Sequence, residues 1–167
     1  MVLVAEIIVA CLVFHIMIWA LMRKDPAGWV DDYPPEVGRI ARERGLVPPS
    51  PYKDRKALLL SKLARGMVFS VILGIAVFFL NGADDFLKGF LNSYAIFFSV
   101  AWYDAIVMDC IWCCHSPRCR IPGTDDLADL YCDYGFHIRQ SCIGTLLGIP
   151  VCAVVGIITA ILGIVIG

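Results

Sequence analysis

The run IGTLLGIPVCAVVGIITAILGIVI, residues 143–166, holds no Asp, Glu, Lys, Arg or His over 24 consecutive positions. A helix that crosses the hydrocarbon of a bilayer needs about 20 mostly apolar residues, so this stretch spans one unaided. Three further runs precede it. Residues 2–22 form the first, closed by Arg23-Lys24. Residues 66–80 form the second, which the amphipathic stretch from Ala57 to Leu63 extends into a span of about 60–80, ended by Asn81-Gly82. Residues 86–114 form the third. Ser50-Pro51 reads as the start of the second helix, a hydroxyl cap followed by proline at the first position. Such runs predict an all-α integral membrane protein, a four-transmembrane-helix bundle in a single domain over 1–167, with short helices in its two long loops, 23–59 and 115–142.

Composition agrees. Hydrophobic residues make up 59% of the 167 and mean hydropathy is +0.76, above the apolar share of a typical soluble domain. The formal net charge is −1, so no overall basic or acidic field points to nucleic acid. The first run lacks a basic segment before it, and its positive charge follows. It therefore reads as a retained anchor rather than a secretory signal.

Lysine and arginine set the orientation, because they accumulate in cytoplasmic loops. Segment 23–65 carries Arg23, Lys24, Arg39, Arg42, Arg44, Lys53, Arg55, Lys56, Lys62 and Arg65. The loop before the fourth run carries Arg118, Arg120 and Arg139, and the hairpin between the second and third runs carries only Lys88. Both long loops are expected in the cytoplasm and both termini outside.

In the first loop, Asp31-Asp32-Tyr33-Pro34-Pro35 leads into a short basic helix around residues 36–44. Gly45 is its expected stop and Pro48-Pro49 breaks the chain after it. That helix reads either as an interfacial element on anionic headgroups or a docking site, or as a solvated connector whose charge serves topology. In the second loop, Pro122-Gly123 predicts a turn. Thr124 is placed to cap a short helix with Asp125 and Asp126 in its first turn.

Of eight cysteines, Cys11, Cys142 and Cys152 lie in apolar runs and behave as small hydrophobes. The rest cluster at 110–132. Cys114, His115, Cys119, Cys132 and His137, with Cys113 beside them, offer enough donors for zinc, although the one Cys-x-x-Cys, Cys110 to Cys113, has no second to pair with. Covalent haem needs Cys-x-x-Cys-His. Here Cys110-Ile111-Trp112-Cys113-Cys114-His115 sets the histidine one place too late, leaving non-covalent ligation by His115 and His137. A four-helix layout with Cys-x-x-Cys and a further pair, Cys119 and Cys132, resembles quinone-linked disulfide-forming enzymes in architecture. The charge rule puts these thiols in a reducing compartment instead, where most stay free.

Ionisable groups inside a span are expensive and mark function by default. His15 lies about 10 Å in from the cytoplasmic end of its helix, and Asp109 and Asp104 lie about 7 Å and 15 Å in from Cys114, at 1.5 Å per residue. Five positions is about 140° on an α-helix, so the two aspartates are expected on different faces. Tyr103, Ser99 and Asn92 add polar atoms. These groups predict an inner-leaflet polar site bottomed by His15, Asp104 and Asp109 and lidded by His115, His137 and Arg139. The competing reading is one buried Asp–His pair that fixes helix register, with Asp109 snorkelling to the interface.

Trp102-Tyr103-Asp104, Asp109-x-x-Trp112, Cys114-His115, Ile121-Pro122-Gly123-Thr124-Asp125 and Tyr131-x-x-Tyr134-Gly135-Phe136-His137 together resemble a group of small bacterial four-helix membrane proteins without an assigned activity. Asp32-Tyr33-Pro34-Pro35-Glu36-Val37 fits the same group loosely. The specific part of the resemblance is segment 102–137. This chain departs from the pattern in Asp125, where glutamate is expected, and in several additional cysteines. The resemblance implies a bacterial cytoplasmic membrane and the four-helix architecture, and it supplies no mechanism.

Three functions follow as expectations. The first is a binding or accessory protein among membrane lipids with an inner-leaflet polar site. The second is a small transporter or channel, a homo-oligomer seamed by the glycine-rich fourth helix, where Gly144-x-x-x-Gly148 is a close-packing signature. In a four-helix chain that signature also serves packing within one copy. The third is a membrane enzyme acting on a lipid or quinone, with His115 or His137 as acid or base and Arg139 or Arg118 holding an anionic group.

Overall fold

The computed structural model describes residues 2–49 and 54–166. It is 84% helical, and no strand occurs among the described residues. The long helices are α1 (Val2–Lys24), α3 (Arg55–Asn81), α4 (Phe86–Tyr103, running on as a π-helix over Asp104–Cys113) and α6 (Tyr134–Ile166). Between them lie α2 (Pro35–Glu43) and α5 (Ala128–Tyr131), with 3-10 turns at Ala27–Asp32, Pro117–Cys119 and Asp125–Leu127. All four long helices are long and apolar enough to cross a membrane, so the protein is a multi-pass membrane protein. Contacts divide the chain into two compact units.

The first unit is Met1–Cys11, Tyr52–Ala101 and Ile143–Gly167. Its core is Leu73, Val77, Ala83, Ile96 and Val155, with Leu3, Ile7 and Ala10 against it. Asp54 caps α3, accepting the Ala57 N–H at 2.8 Å; Ser50 and Pro51, the start expected from sequence, lie outside the described residues. The other end of α3 closes on Gly82, whose left-handed φ of +63° suits glycine. Glu6 accepts from Asn81 Nδ2 at 2.6 Å. Glycine sets the helix spacing: a Cβ on Gly148 would overlap the Phe97 ring, and one on Gly156 would sit 2.7 Å from the Phe86 carbonyl oxygen. Gly148 therefore packs within the chain, whereas a Cβ on Gly144 would meet nothing within 4 Å.

The second unit is Leu12–Pro51 and Trp102–Cys142. Here the two connecting segments fold on each other. Val30, Tyr33, Val37, Ala41, Val47, Ile121, Leu127 and Tyr131 form one buried cluster. Ile18, Met22 and Met108 form another, with Phe14, Trp29, Tyr103 and Trp112 packed against it. Helix α2 turns Val37, Gly38 and Ala41 inward. Its apolar face is thus occupied by protein, which corrects the reading of α2 as a helix lying on headgroups. It is not a bare connector either. Its outer face pairs Arg39 with Glu36 and Glu43, and Arg44 grips both carboxylate oxygens of Asp126 at 2.8 and 2.7 Å. Gly45 ends the helix with φ +71°, as expected.

Helix α6 begins nine residues earlier than the apolar run, at Tyr134. The cause is Asp133. Its carboxylate accepts the Phe136 N–H at 2.9 Å and its carbonyl the His137 N–H at 3.2 Å, the pattern of an N-cap. His137 and Arg139, read as loop residues, are helical. At 33 residues the helix is about 50 Å long, against a hydrocarbon thickness of about 30 Å, so its polar first turns exceed what a span requires.

Candidate functional site

The site grows out of the π-helical end of α4. In this segment the backbone bonds run from residue i+5 to i, as in Cys114 N–H to the Asp109 carbonyl at 2.9 Å. A π-helix is rare and frequently marks functional positions. It also winds more residues into each turn, so Asp104 and Asp109 are closer around the helix axis than the roughly 140° drawn for an α-helix.

Asp109 meets His137. Its Oδ2 lies 3.2 Å from His137 Nδ1, with the imidazole 6% exposed and the carboxylate 33% exposed. The other ring nitrogen, Nε2, lies 3.1 Å from the Tyr131 carbonyl oxygen. A carbonyl only accepts, so Nε2 carries a hydrogen. One further proton then sits between Nδ1 and Oδ2. Either an imidazolium faces a carboxylate, or a neutral imidazole accepts from a carboxylic acid. The pair is a one-proton device with both ring nitrogens engaged.

A small cavity of about 40 Å³ opens beside it, lined by Met22, Asp32, Tyr33, Asp109, Cys113, Tyr131 and His137. One water needs ~10–15 Å³ on this scale, so the space admits a few waters. Pockets for drug-sized ligands run to about 300 Å³ or more. Tyr33 forms one wall. Its hydroxyl donates to the Cys119 carbonyl at 2.6 Å, with Met22 Sδ at 3.5 Å. Burial pushes its phenol well above the usual tyrosine range, so it remains a donor at any physiological pH. Tyr131 stands edge-on to Tyr33, ring centroids 5.2 Å apart.

A closed ring of hydrogen bonds fixes Tyr131. The Ile121 N–H donates to the Tyr131 hydroxyl at 3.0 Å, that hydroxyl lies 2.8 Å from Thr124 Oγ1, and Thr124 Oγ1–H donates to the Ile121 carbonyl at 2.7 Å. Thr124 was expected to cap the 125–127 turn. Its side chain makes no capping bond there, because the hydroxyl is spent on this ring. Gly123 takes φ +88° in the expected Pro122-Gly123 turn.

The remaining sequence-derived residues disperse. His15 Nδ1 bonds the Tyr103 hydroxyl at 2.8 Å, and its ring stacks on Trp112 with centroids 6.2 Å apart. Asp104 is half-buried at the start of the π-helix. His115 is exposed, with Nε2 3.2 Å from the Tyr134 hydroxyl, and Arg139 is exposed. Of the thiols offered as zinc ligands, Cys114 donates to the Tyr131 carbonyl at 3.2 Å and Cys132 to the Cys114 carbonyl at 3.1 Å, while Cys119 is fully buried. Among the described residues, no three His, Cys, Asp or Glu side chains gather to hold a metal ion, and Cys114, His115, Cys119, Cys132 and His137 do not form one ligand set. Tyr33, Tyr131 and Asp32 join the site only in the structure; in the sequence they carry no chemical motif and stand only within the segments 32–37 and 131–137.

No protein-family model matches this chain, and neither a curated protein nor a solved structure is similar to it at a significant level.

Proposed function

We propose that this chain is a binding or accessory protein of the bacterial cytoplasmic membrane, its two connecting segments in the cytoplasm and both termini outside. Its inner-leaflet polar site is the Asp109–His137 pair with Asp32, Tyr33 and Tyr131 around the small cavity. The observation that carries this reading is the folding of the connecting segments into a core of their own, with Val37, Ala41 and Thr124 at 0% exposure. Connectors that only join spans have no need of such packing.

The geometry also argues against His137 as a catalytic acid or base. A general base needs a ring nitrogen free toward substrate, and both nitrogens of His137 face protein groups. The cavity, about 40 Å³, is smaller than a pocket that encloses a drug-sized ligand, about 300 Å³ or more. The site suits a proton, a small cation with water, or the tip of one partner side chain.

The transporter reading keeps one specific support. The Asp109–His137 pair joins two of the four long apolar helices, and a Cβ at Gly144 would meet nothing within 4 Å of this chain. Reconstitution in vesicles loaded with a pH-sensitive dye separates the two. The binding reading expects no proton flux above that of empty vesicles. Flux that Asp109→Asn abolishes would overturn it in favour of transport.

A further inference from the structure

Beside the polar site, the fold crosses two cysteines that are 18 positions apart in sequence. We propose that Cys114 and Cys132 form a dithiol that closes to a disulfide by exchange with a small-molecule disulfide. Cys114 directly follows the π-helix and Cys132 directly follows α5. Each thiol is bonded to the backbone at or next to the other: Cys114 Sγ–H donates to the Tyr131 carbonyl at 3.2 Å, and Cys132 Sγ–H to the Cys114 carbonyl at 3.1 Å. Bridging needs short Cα and Cβ separations with the side chains converging, and reciprocal bonding of this kind supplies the convergence.

Exposure assigns the order of events. Cys132 is half-buried and Cys114 is 1% exposed, so the oxidant reaches Cys132 first. Burial and the adjacent Cys132 push the Cys114 thiol up to about 12, so it rests protonated and must give up its proton as it attacks in the second step. In the first step the Cys132 thiolate attacks one sulfur of R–S–S–R. A mixed disulfide forms and one RS⁻ leaves, taking up the proton Cys132 released. In the second, Cys114 sulfur attacks the Cys132 sulfur of that mixed disulfide, and the second RS⁻ leaves with the Cys114 proton. Two cysteines are oxidised by two electrons, and one disulfide is reduced to two thiols. Cys113 and Cys119 offer no competing entry, being 8% and 0% exposed.

Closure touches the polar site. The Tyr131 carbonyl accepts from both Cys114 Sγ–H and His137 Nε2–H. A disulfide removes the first donor and leaves His137 as the side-chain partner of that oxygen among the described residues. The dithiol stands on its own geometry, whatever the Asp109–His137 pair binds.

The test is oxidised glutathione applied to the purified, folded chain in detergent, read by intact mass and peptide mapping. Wild type is expected to lose the mass of two hydrogens and to yield a cross-linked peptide pair containing Cys114 and Cys132. Cys114→Ser should stop at glutathione on Cys132, and Cys132→Ser should give neither product. Elution as wild type checks that each variant is folded, and the wild-type cross-link needs no variant. A Cys113–Cys119 bridge, a stable glutathione adduct on Cys114 or Cys132 of wild type (peptide mapping sets apart any adduct on the exposed Cys142), or reaction only after unfolding would overturn the proposal.

Discussion

Tyr131→Phe removes one oxygen from the centre of the folded loop core and leaves nearly everything else. The ring keeps its edge-on contact with Tyr33, and the backbone carbonyl that His137 uses is untouched. What disappears is the acceptor for the Ile121 N–H and the partner of Thr124 Oγ1. Ile121 is 1% exposed and Thr124 is 0% exposed, so water does not replace the hydroxyl without opening the structure. A buried donor left unpaired costs about 1–3 kcal/mol. At about 2 kcal/mol, protection of the Ile121 amide should fall roughly 30-fold, since 1.4 kcal/mol is tenfold. Hydrogen exchange on the purified chain in detergent, read on the peptide that contains Ile121, measures this directly. Thr124→Val should weaken the same ring, and the double variant should lose less than the sum of the singles, because the Tyr131–Thr124 bond is counted in both. An Ile121 amide protected within twofold of wild type in Tyr131→Phe would refute the ring as a source of stability.

Gly148→Ala should lower the thermal midpoint in detergent, at a cost of about 1–3 kcal/mol for overpacking, because the new Cβ overlaps Phe97; Gly144→Ala, with open space around it, should be neutral in the same melt. The hydrogen bond from Arg44 holds the Asp126 carboxyl below its usual value of 3.8. A depressed folded value means that the stabilisation is present above that usual value and is lost as pH falls through the lowered one. Arg44→Met should therefore increase exchange in the 121–127 segment at neutral pH, and the difference from wild type should vanish in acid. Asp109→Asn replaces an acceptor with a group that donates through its amide, so His137 Nδ1 should become a bare acceptor while Nε2 keeps its hydrogen. Nitrogen NMR of the labelled histidine reports the change, and an Nδ1 resonance that stays as in wild type would remove Asp109 as its proton partner.

Spans and fold class were determined by the sequence itself, and for a local reason. A helix in hydrocarbon satisfies its backbone bonds within its own segment, so the length of an uncharged run decides whether it crosses, with no knowledge of neighbours. The stops at Gly45 and Gly82 and the turn at Pro122-Gly123 were legible for the same reason, since each depends on a backbone conformation that one residue type favours. The site was legible only in its ingredients. Asp109 and His137 were both singled out, but their pairing joins the π-helical end of α4 to the first turn of α6, and no periodicity links residues so placed. The winding of 104–113 brought Asp104 and Asp109 closer around the helix axis, and a hydrogen-bond pattern is not written in hydropathy. The Asp133 cap moved the start of α6 back onto the loop side of the apolar run and made His137 helical. Above all, the two connecting segments bury each other's apolar residues, Val37 and Ala41 with Ile121 and Tyr131. Each segment alone is too short and too polar to announce a core, and only their meeting in three dimensions removes that surface from water.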